Sequence, residues 1–336
     1  MNIALDIMSG DSGPLSNIKG AIQYIKNPLS NNSTVFLYGT ENIFKNNESL
    51  LNRYDNRIKK VITKEIITMD DKPSIAYRKK RNSSLIRTID DLNNNIVDAA
   101  VSSGNTGALL TSSLLILGKI QGIRRPAIAP YIPIKKSGFI LCDAGANSNI
   151  KPDHLVQFAL MSSAYLQHIG DVFNPRVALL NIGSEESKGN TLTVTAYPLL
   201  KDKIKNFVGN IESRELFNNK ADIVLCDGFT GNIVLKLIEG IIQNMINITI
   251  ESIDSHSISK LIKPALYPVF NDISKTFDYE EYGGTPILGV NGIVMKCHGS
   301  SNSKAIENAL LKTQLSYDND LIKDLEKIIN KNEILI

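Results

Sequence analysis

Residues 221–232 read ADIVLCDGFTGN, and the way this stretch is read decides the fold. An apolar, β-rich run ends at Asp227-Gly228, a glycine-bracketed turn follows, and the chain enters the apolar helical pattern IVLKLIEGII. Strand, tight loop, helix is the repeating unit of an α/β protein. The same order recurs at NIALDI, STVFLYG, IVDAAVSSG, SGFILCDAG and RVALLNIG, each followed by a turn and a longer helical pattern. Strands that are apolar on both faces belong in a parallel sheet covered by helices, so the expected architecture is a three-layer α/β sandwich with a mostly parallel sheet. No polar linker or convincing repeat divides residues 1–336, which read as one α/β catalytic domain. Residues 233–277 form a helical excursion within it. Its first helix carries Val234, Leu237, Ile238, Ile241, Met245 and Ile248 at helical spacing, and its second is kinked or divided by Pro264 and Pro268. Dimer packing is the expected use of this excursion, with contact to an anionic membrane surface as the other.

Composition narrows the function. A chain of 336 residues with 43% apolar and 21% charged residues can bury a large core. Its net charge of +3 is too small for a general nucleic-acid binder. Three cysteines, Cys142, Cys226 and Cys297, include no CxxC pair, which argues against a disulfide framework or thiolate zinc site and for a reducing compartment. The N-terminus has Asp6 inside its apolar run and reads as a first strand rather than a signal peptide. No run of about 18 uncharged apolar residues is present, so no membrane span is expected.

The strand ends carry the chemistry. The first strand runs into Asp6, Gly10 and Asp11, and another into Gly104, Asn105, Thr106 and Gly107. Later ends bring Asp143, Gly145 and Asn147, then Gly183, Glu185, Glu186 and Lys188, then Asp227, Gly228, Thr230, Gly231 and Asn232. At the carboxyl edge of a parallel sheet such loops converge on one crevice, where glycine-exposed N–H groups and helix N-termini receive an anion. One loop alone is ordinary turn chemistry; the set points to a phosphate-handling site. The Walker loop, the G-x-G-x-x-G dinucleotide fingerprint and the G-x-S-x-G elbow are missing, and the four histidines lack metal-ligand spacing. No cofactor and no metal are therefore expected. Cys297 and His298 are adjacent and, on a strand, would point to opposite faces, which makes Cys297 a buried hydrophobe rather than a nucleophile. Lys188, in a glycine-bearing turn beside two carboxylates, is expected to hold phosphate or stabilise a developing oxyanion. The basic run Arg78-Lys79-Lys80-Arg81 reads either as a solvated helix face or as contact with an acidic partner.

The stretches ALDIMSGDSGP, AYRKKRNSSL, VSSGNTGALL, GIRRPAIAP, LCDAGAN, LLNIGSEESKGN, DGFTGNIVLK and YGGTPILGVNGIVMKCHGSSN together, in order and from residue 1 to about 310, resemble the PlsX family. These are the acyl-ACP:phosphate acyltransferases of bacterial phospholipid synthesis. The resemblance implies a fold like that of the isocitrate and isopropylmalate dehydrogenases and the phosphotransacetylases, in a homodimer. It implies that inorganic phosphate attacks a long-chain acyl-ACP thioester directly, with no covalent enzyme intermediate. The products are free acyl carrier protein and an acyl phosphate for a downstream glycerol-3-phosphate acyltransferase. It further implies a cytoplasmic protein, peripheral at the inner face of the membrane. Within that reaction Lys188, Asn232 and His298 are the expected catalytic residues. Gly104, Asn105, Thr106, Gly107, Gly228, Thr230 and Gly231 would bind phosphate, and Asp6, Asp11, Asp143, Asn147, Glu185 and Asp227 would line the site. Arg78, Lys79, Lys80, Arg81, Arg124 and Arg125, with the helical excursion 233–277, would meet the carrier protein and the acyl chain. Ser9 departs from the family's glycine in its GGD turn, which a serine can fill only with negative or strained φ. The competing readings are a phosphotransacetylase using acyl-CoA, an NAD-linked decarboxylating dehydrogenase of the related fold, and a non-catalytic membrane-surface scaffold.

Overall fold

The computed structural model describes residues 1–30, 32–134, 137–170, 172–255 and 283–333. The strands are β1 (Asn2–Asp6), β2 (Thr34–Gly39), β3 (Ile58–Ile62), β4 (Ala99–Ser102), β5 (Ala127–Ile128), β6 (Tyr131–Ile134), β7 (Ser137–Cys142), β8 (Val177–Asn181), β9 (Phe207–Glu212), β10 (Ile223–Leu225), β11 (Thr285–Leu288) and β12 (Ile293–Lys296). The helices are α1 (Gly13–Lys26), α2 (Glu41–Asn46), α3 (Glu48–Leu51), α4 (Pro73–Lys79), α5 (Ser84–Asn93), α6 (Thr106–Ile116), α7 (Pro152–Gly170), α8 (Thr191–Lys203), α9 (Gly228–Ser255), α10 (Ser303–Asp318) and α11 (Leu321–Glu333). All six sequence-read strands form, and β1, β4 and β10 are buried almost throughout, as the doubly apolar runs require.

The strands make two sheets rather than the single one expected. Seven strands run in the order β3-β2-β1-β4-β12-β11-β5, and five in the order β6-β7-β10-β8-β9. Both are parallel except where β11 pairs with β12 and β5, and where β6 pairs with β7. The division falls at Ala129-Pro130, where the chain leaves β5 in the large sheet and enters β6 in the small one. Proline supplies no N–H to continue a ladder, although its carbonyl still accepts from Leu141.

Helices are layered on both sheets. α5, α4 and α6 cover one face of the large sheet, with Leu85, Ile86, Ile89, Ala108 and Leu109 buried against Ala4, Ala100 and Val294. Its other face meets α1 and α10, which pack on each other and, through α7, reach the small sheet. One continuous apolar cluster follows this path from Ile3 and Val101 through Ile306 and Phe158 to Leu179 and Leu225. The far face of the small sheet packs Val234, Leu235 and Ile238 of α9 against Leu141, Val224 and Cys226.

The other side of α9 is bare, with Leu237, Ile241, Met245 and Ile248 half-exposed or more. Residues Gly228–Ile253 are long and apolar enough to cross a membrane by length and composition, a run that Lys236 and Glu239 concealed in the sequence. The second part of the helical excursion, with Pro264 and Pro268, lies outside the described residues.

Candidate active site

The carboxyl ends of the two sheets enclose a cavity of about 410 Å³, a size suited to a small-molecule ligand. From the large sheet come Asp11 after β1, Thr106 and Gly107 after β4, and Lys296, His298 and Gly299 at the end of β12. From the small sheet come Ala144 and Gly145 after β7 and Asn232 at the start of α9. Leu110, Ile128, Ile132, Leu235, Ile238 and Ile242 add aliphatic lining. The cavity thus combines hydrogen-bond donors with apolar side chains.

The loops are shaped by internal bonds that the sequence does not display. Asp143 is fully buried and accepts four hydrogen bonds. Oδ1 receives the N–H of Ile128 at 3.0 Å and of Ala146 at 3.0 Å, and Oδ2 the N–H of Asn147 at 2.7 Å and its Nδ2 at 2.9 Å. Because Ile128 belongs to the large sheet and Asp143 follows a strand of the small one, this carboxylate clasps the two sheets at the cleft. Burial lifts its carboxyl above the usual range, against the downward pull of those bonds. Gly231 lies so close that a Cβ there would fall on the Asp143 carbonyl oxygen, so no larger residue fits without moving the start of α9. Asp227 caps that helix, accepting from Thr230 N–H at 2.9 Å and Thr230 Oγ1 at 2.7 Å. Gly228 donates its N–H to the Asn147 carbonyl.

Asn105 caps α6 through Oδ1, and its Nδ2 holds the carbonyls of Met69 and Asp71. That commitment of its side chain leaves the backbone N–H groups of Thr106 and Gly107 as the orphan donors of the helix end at the cavity. Asp6 is buried beneath the site, accepting from Ser102 Oγ at 2.7 Å and from the Met8 N–H. Ser9 keeps a negative φ, and the left-handed position falls instead on Gly10 (φ 94°), so the substitution leaves the N-terminal turn unstrained.

Of the expected catalytic residues, Asn232 and His298 line the cavity together with Asp11, Thr106 and Gly107. Lys188 and Glu185 do not. They stand in the exposed loop after β8, where the Lys188 carbonyl accepts from Asn181 Nδ2 and the Glu185 carbonyl from Asn210 Nδ2. Because β10 pairs with β8, that loop is one strand beyond the one bearing Asn232, at the same end of the sheet. Gly104, Gly228, Thr230, Gly231, Asn147, Asp143 and Asp6 build the loops without lining the cavity.

Three charged residues of the cavity were missed: Lys236 and Glu239 on α9, and Lys296 at the end of β12. Lys296 is 8% exposed. Its signal was present, a lone lysine closing the apolar run IVMK just before the HGSSN turn. Burial pushes its ammonium down to about 8, against the upward pull of Cys297, Asp11, Asp6 and Glu239. Burial likewise holds the His298 imidazole below its ordinary value, a tendency that Glu239 opposes and Lys296 and Lys236 reinforce. His298 Nδ1 is engaged with Ser300 Oγ at 2.8 Å. The three cysteines are buried, and burial raises each thiol, Cys297 to about 12, so a thiolate nucleophile is disfavoured.

The basic residues are split by their partners. Lys80 pairs with Asp71, Arg81 with Asp90 and Arg124 with Asp153. Arg78, Lys79 and Arg125 are exposed and make no ion pair among the described residues.

The chain is similar to known proteins over most of its length. The family model described as "Fatty acid synthesis protein" matches residues 1–323. The phosphate acyltransferase of Clostridium kluyveri is 42% identical over 340 residues, covering 99% of this chain and 100% of the relative. That of Dictyoglomus thermophilum is 41% identical over 342 residues, covering 99% and 100%. Among solved structures, a phosphotransacetylase from Streptococcus pyogenes superposes with a TM-score of 0.60 at 14% identity, covering 94% of each chain. A 4-hydroxythreonine-4-phosphate dehydrogenase from Klebsiella pneumoniae gives 0.53 at 12% identity, covering 94% of this chain and 97% of that one. These two likenesses speak for the fold, which is the dehydrogenase-like α/β arrangement expected from the sequence. The whole-chain match and the closely covered relatives go further: the chain belongs to the fatty acid synthesis protein family, the PlsX family of phosphate acyltransferases.

Proposed function

We propose that the acyl donor is a long-chain acyl-ACP and that its thioester is opened in this cavity by inorganic phosphate. The observation that carries the reading is the cavity's mixed lining, which offers polar groups (Thr106, Gly107, Asn232, Lys296, His298) and aliphatic side chains (Leu110, Ile132, Leu235, Ile238, Ile242) in one space. Phosphate suits the first and a fatty acyl chain the second. A phosphate oxygen attacks the thioester carbon and the C–O bond forms. The carbonyl oxygen takes up negative charge beside the Asn232 amide, while the N–H donors of α6 hold the phosphate. Collapse then breaks the C–S bond, and the carrier thiolate leaves and takes a proton. His298, whose imidazole burial biases toward the neutral form, would take the proton that the attacking hydrogenphosphate gives up and pass it to the departing thiolate.

Lys188 enters this reading as a second cation on the neighbouring loop, meeting phosphate or the carrier's prosthetic arm as the donor docks. The ion-pair-free Arg78, Lys79 and Arg125 would receive the acidic carrier protein. The bare stripe Leu237-Ile241-Met245-Ile248 would pack against a second copy in a homodimer, and α9 would meet the inner membrane surface as a peripheral contact. In the cytoplasm, the acyl phosphate would pass to a downstream glycerol-3-phosphate acyltransferase.

The test is to incubate the protein with palmitoyl-ACP, with and without phosphate, and trap acyl phosphate with hydroxylamine. Phosphate-dependent hydroxamate and free carrier protein are expected. Turnover of palmitoyl-CoA but not of palmitoyl-ACP would move the assignment to a phosphotransacetylase. No product from either donor would favour the scaffold reading.

A further inference from the structure

We propose that the Lys296 ammonium is the cation that holds the attacking phosphate, resting on the phosphate-acyltransferase reading above. Asp6, Ser102 and Lys296 are register partners on the neighbouring strands β1, β4 and β12, so their side chains share one face at the carboxyl end of the large sheet. Asp6 and Ser102 satisfy each other at 2.7 Å. Lys296 has no such match. Its Nζ donates to the carbonyl of Cys297 and makes no ion pair among the described residues, although an ammonium carries three donors. A charge that is nine-tenths buried with no carboxylate at ion-pair distance among the described residues is costly, and its position at a cavity points to an anionic ligand.

The adjoining strand supplies the rest of the site. β4, paired with β12, leads through Gly104 into α6, whose Thr106 and Gly107 line the same cavity at the positive end of the helix. Phosphate between Nζ and these N–H groups supplies the direct ion-pair contact and lies across the cleft from Asn232. The groups facing Lys296 are Asp6 on β1, Asp11 in the loop after it, Lys236 and Glu239 on α9, and Cys297 and His298 on its own turn. Lys188, exposed and one loop outside the cavity, lacks this desolvation, so its attraction for phosphate is screened more strongly.

Phosphate binding is measured directly by ³¹P line broadening with inorganic phosphate as the probe, and phosphate and palmitoyl-ACP KM values by the hydroxamate assay. Lys296→Met is expected to weaken phosphate binding and raise its KM by at least about tenfold, the loss of one charge-assisted contact, with the carrier-protein KM little changed. Unchanged phosphate binding in a folded Lys296→Met protein overturns the proposal. If that variant does not fold, wild-type binding is followed as pH rises through about 8. Phosphate stays a dianion there, so affinity should fall with the ammonium, and a flat profile overturns the proposal. A wild type that turns over neither palmitoyl-ACP nor palmitoyl-CoA defeats the functional reading alone, because the binding measurement still decides Lys296.

Discussion

Replacing Asp143 by asparagine tests the clasp between the two sheets. The carboxylate accepts two N–H groups on each oxygen, at 2.7–3.0 Å, with Ile128 contributed by the opposite sheet. A carboxamide keeps one oxygen and turns an NH₂ toward the other pair of donors, so two bonds are lost whichever way it points. Hydrogen bonds to a charged group contribute about 1.5–3 kcal/mol each, and relief of the buried charge's desolvation offsets part of that loss. A net destabilisation of about 2–4 kcal/mol follows. Unfolding entropy of about 2.1 cal/mol/K per residue converts this, for a chain of 336 residues, to a fall in Tm of about 3–6 °C. The assay is thermal unfolding by circular dichroism at one scan rate, with Asp153→Asn as a control. Asp153 pairs with Arg124 at the surface, and its loss should cost no more than about 1 kcal/mol. Hydroxamate turnover should fall with Asp143→Asn as well, because the bonds to Ala146 and Asn147 shape the loop that faces Asn232. A variant melting within about 1 °C of the wild type, with full turnover, would refute the clasp.

Three further outcomes follow from the same geometry. Burial pushes the Asp222 carboxyl up, but the bonds from Arg176 N, Nε and Nη2 outweigh it and hold its pKa below the usual value. Its stabilisation is therefore present above the unfolded value of about 3.9 and lost as pH falls through the folded one, so the Tm gap between wild type and Asp222→Asn should close below about pH 4. A gap unchanged at low pH would count against that ion pair. Because burial keeps His298 neutral below its ordinary range, any acid limb of kcat/KM that it sets should lie below about pH 6.5 and vanish in His298→Gln. A limb that survives the substitution removes His298 from proton transfer. Leu110→Trp fills part of the cavity that Leu110 lines, so palmitoyl-ACP turnover should drop by roughly tenfold or more while a short acyl donor is spared. Equal losses on both donors would place the chain elsewhere.

The local grammar of this protein was legible because it depends on neighbours in sequence. Doubly apolar runs such as Ala99–Ser102 and Ile223–Leu225 form strands wherever a sheet buries both faces. Asn105 and Asp227 cap the helices that follow because a short acceptor at that position satisfies N–H groups two or three residues ahead. The family motifs were legible for the same reason, each being one strand end and its loop. Which loops face one another was decided only by the tertiary structure. Nothing in the order of motifs says that Pro130 separates two sheets, or that the Asp143 carboxylate reaches Ile128 rather than a ligand. Lys188 follows an apolar strand and Lys296 ends one, and sequence favoured the first because its glycine-bearing turn looks like a ligand loop. Folding buries the second instead, since β12 is inserted beside β4, placing Lys296 in register with Ser102 and one strand from Asp6. Burial is set by residues nearly two hundred or more positions away in the chain, and burial turns an ordinary lysine into a poorly solvated cation that attracts an anion.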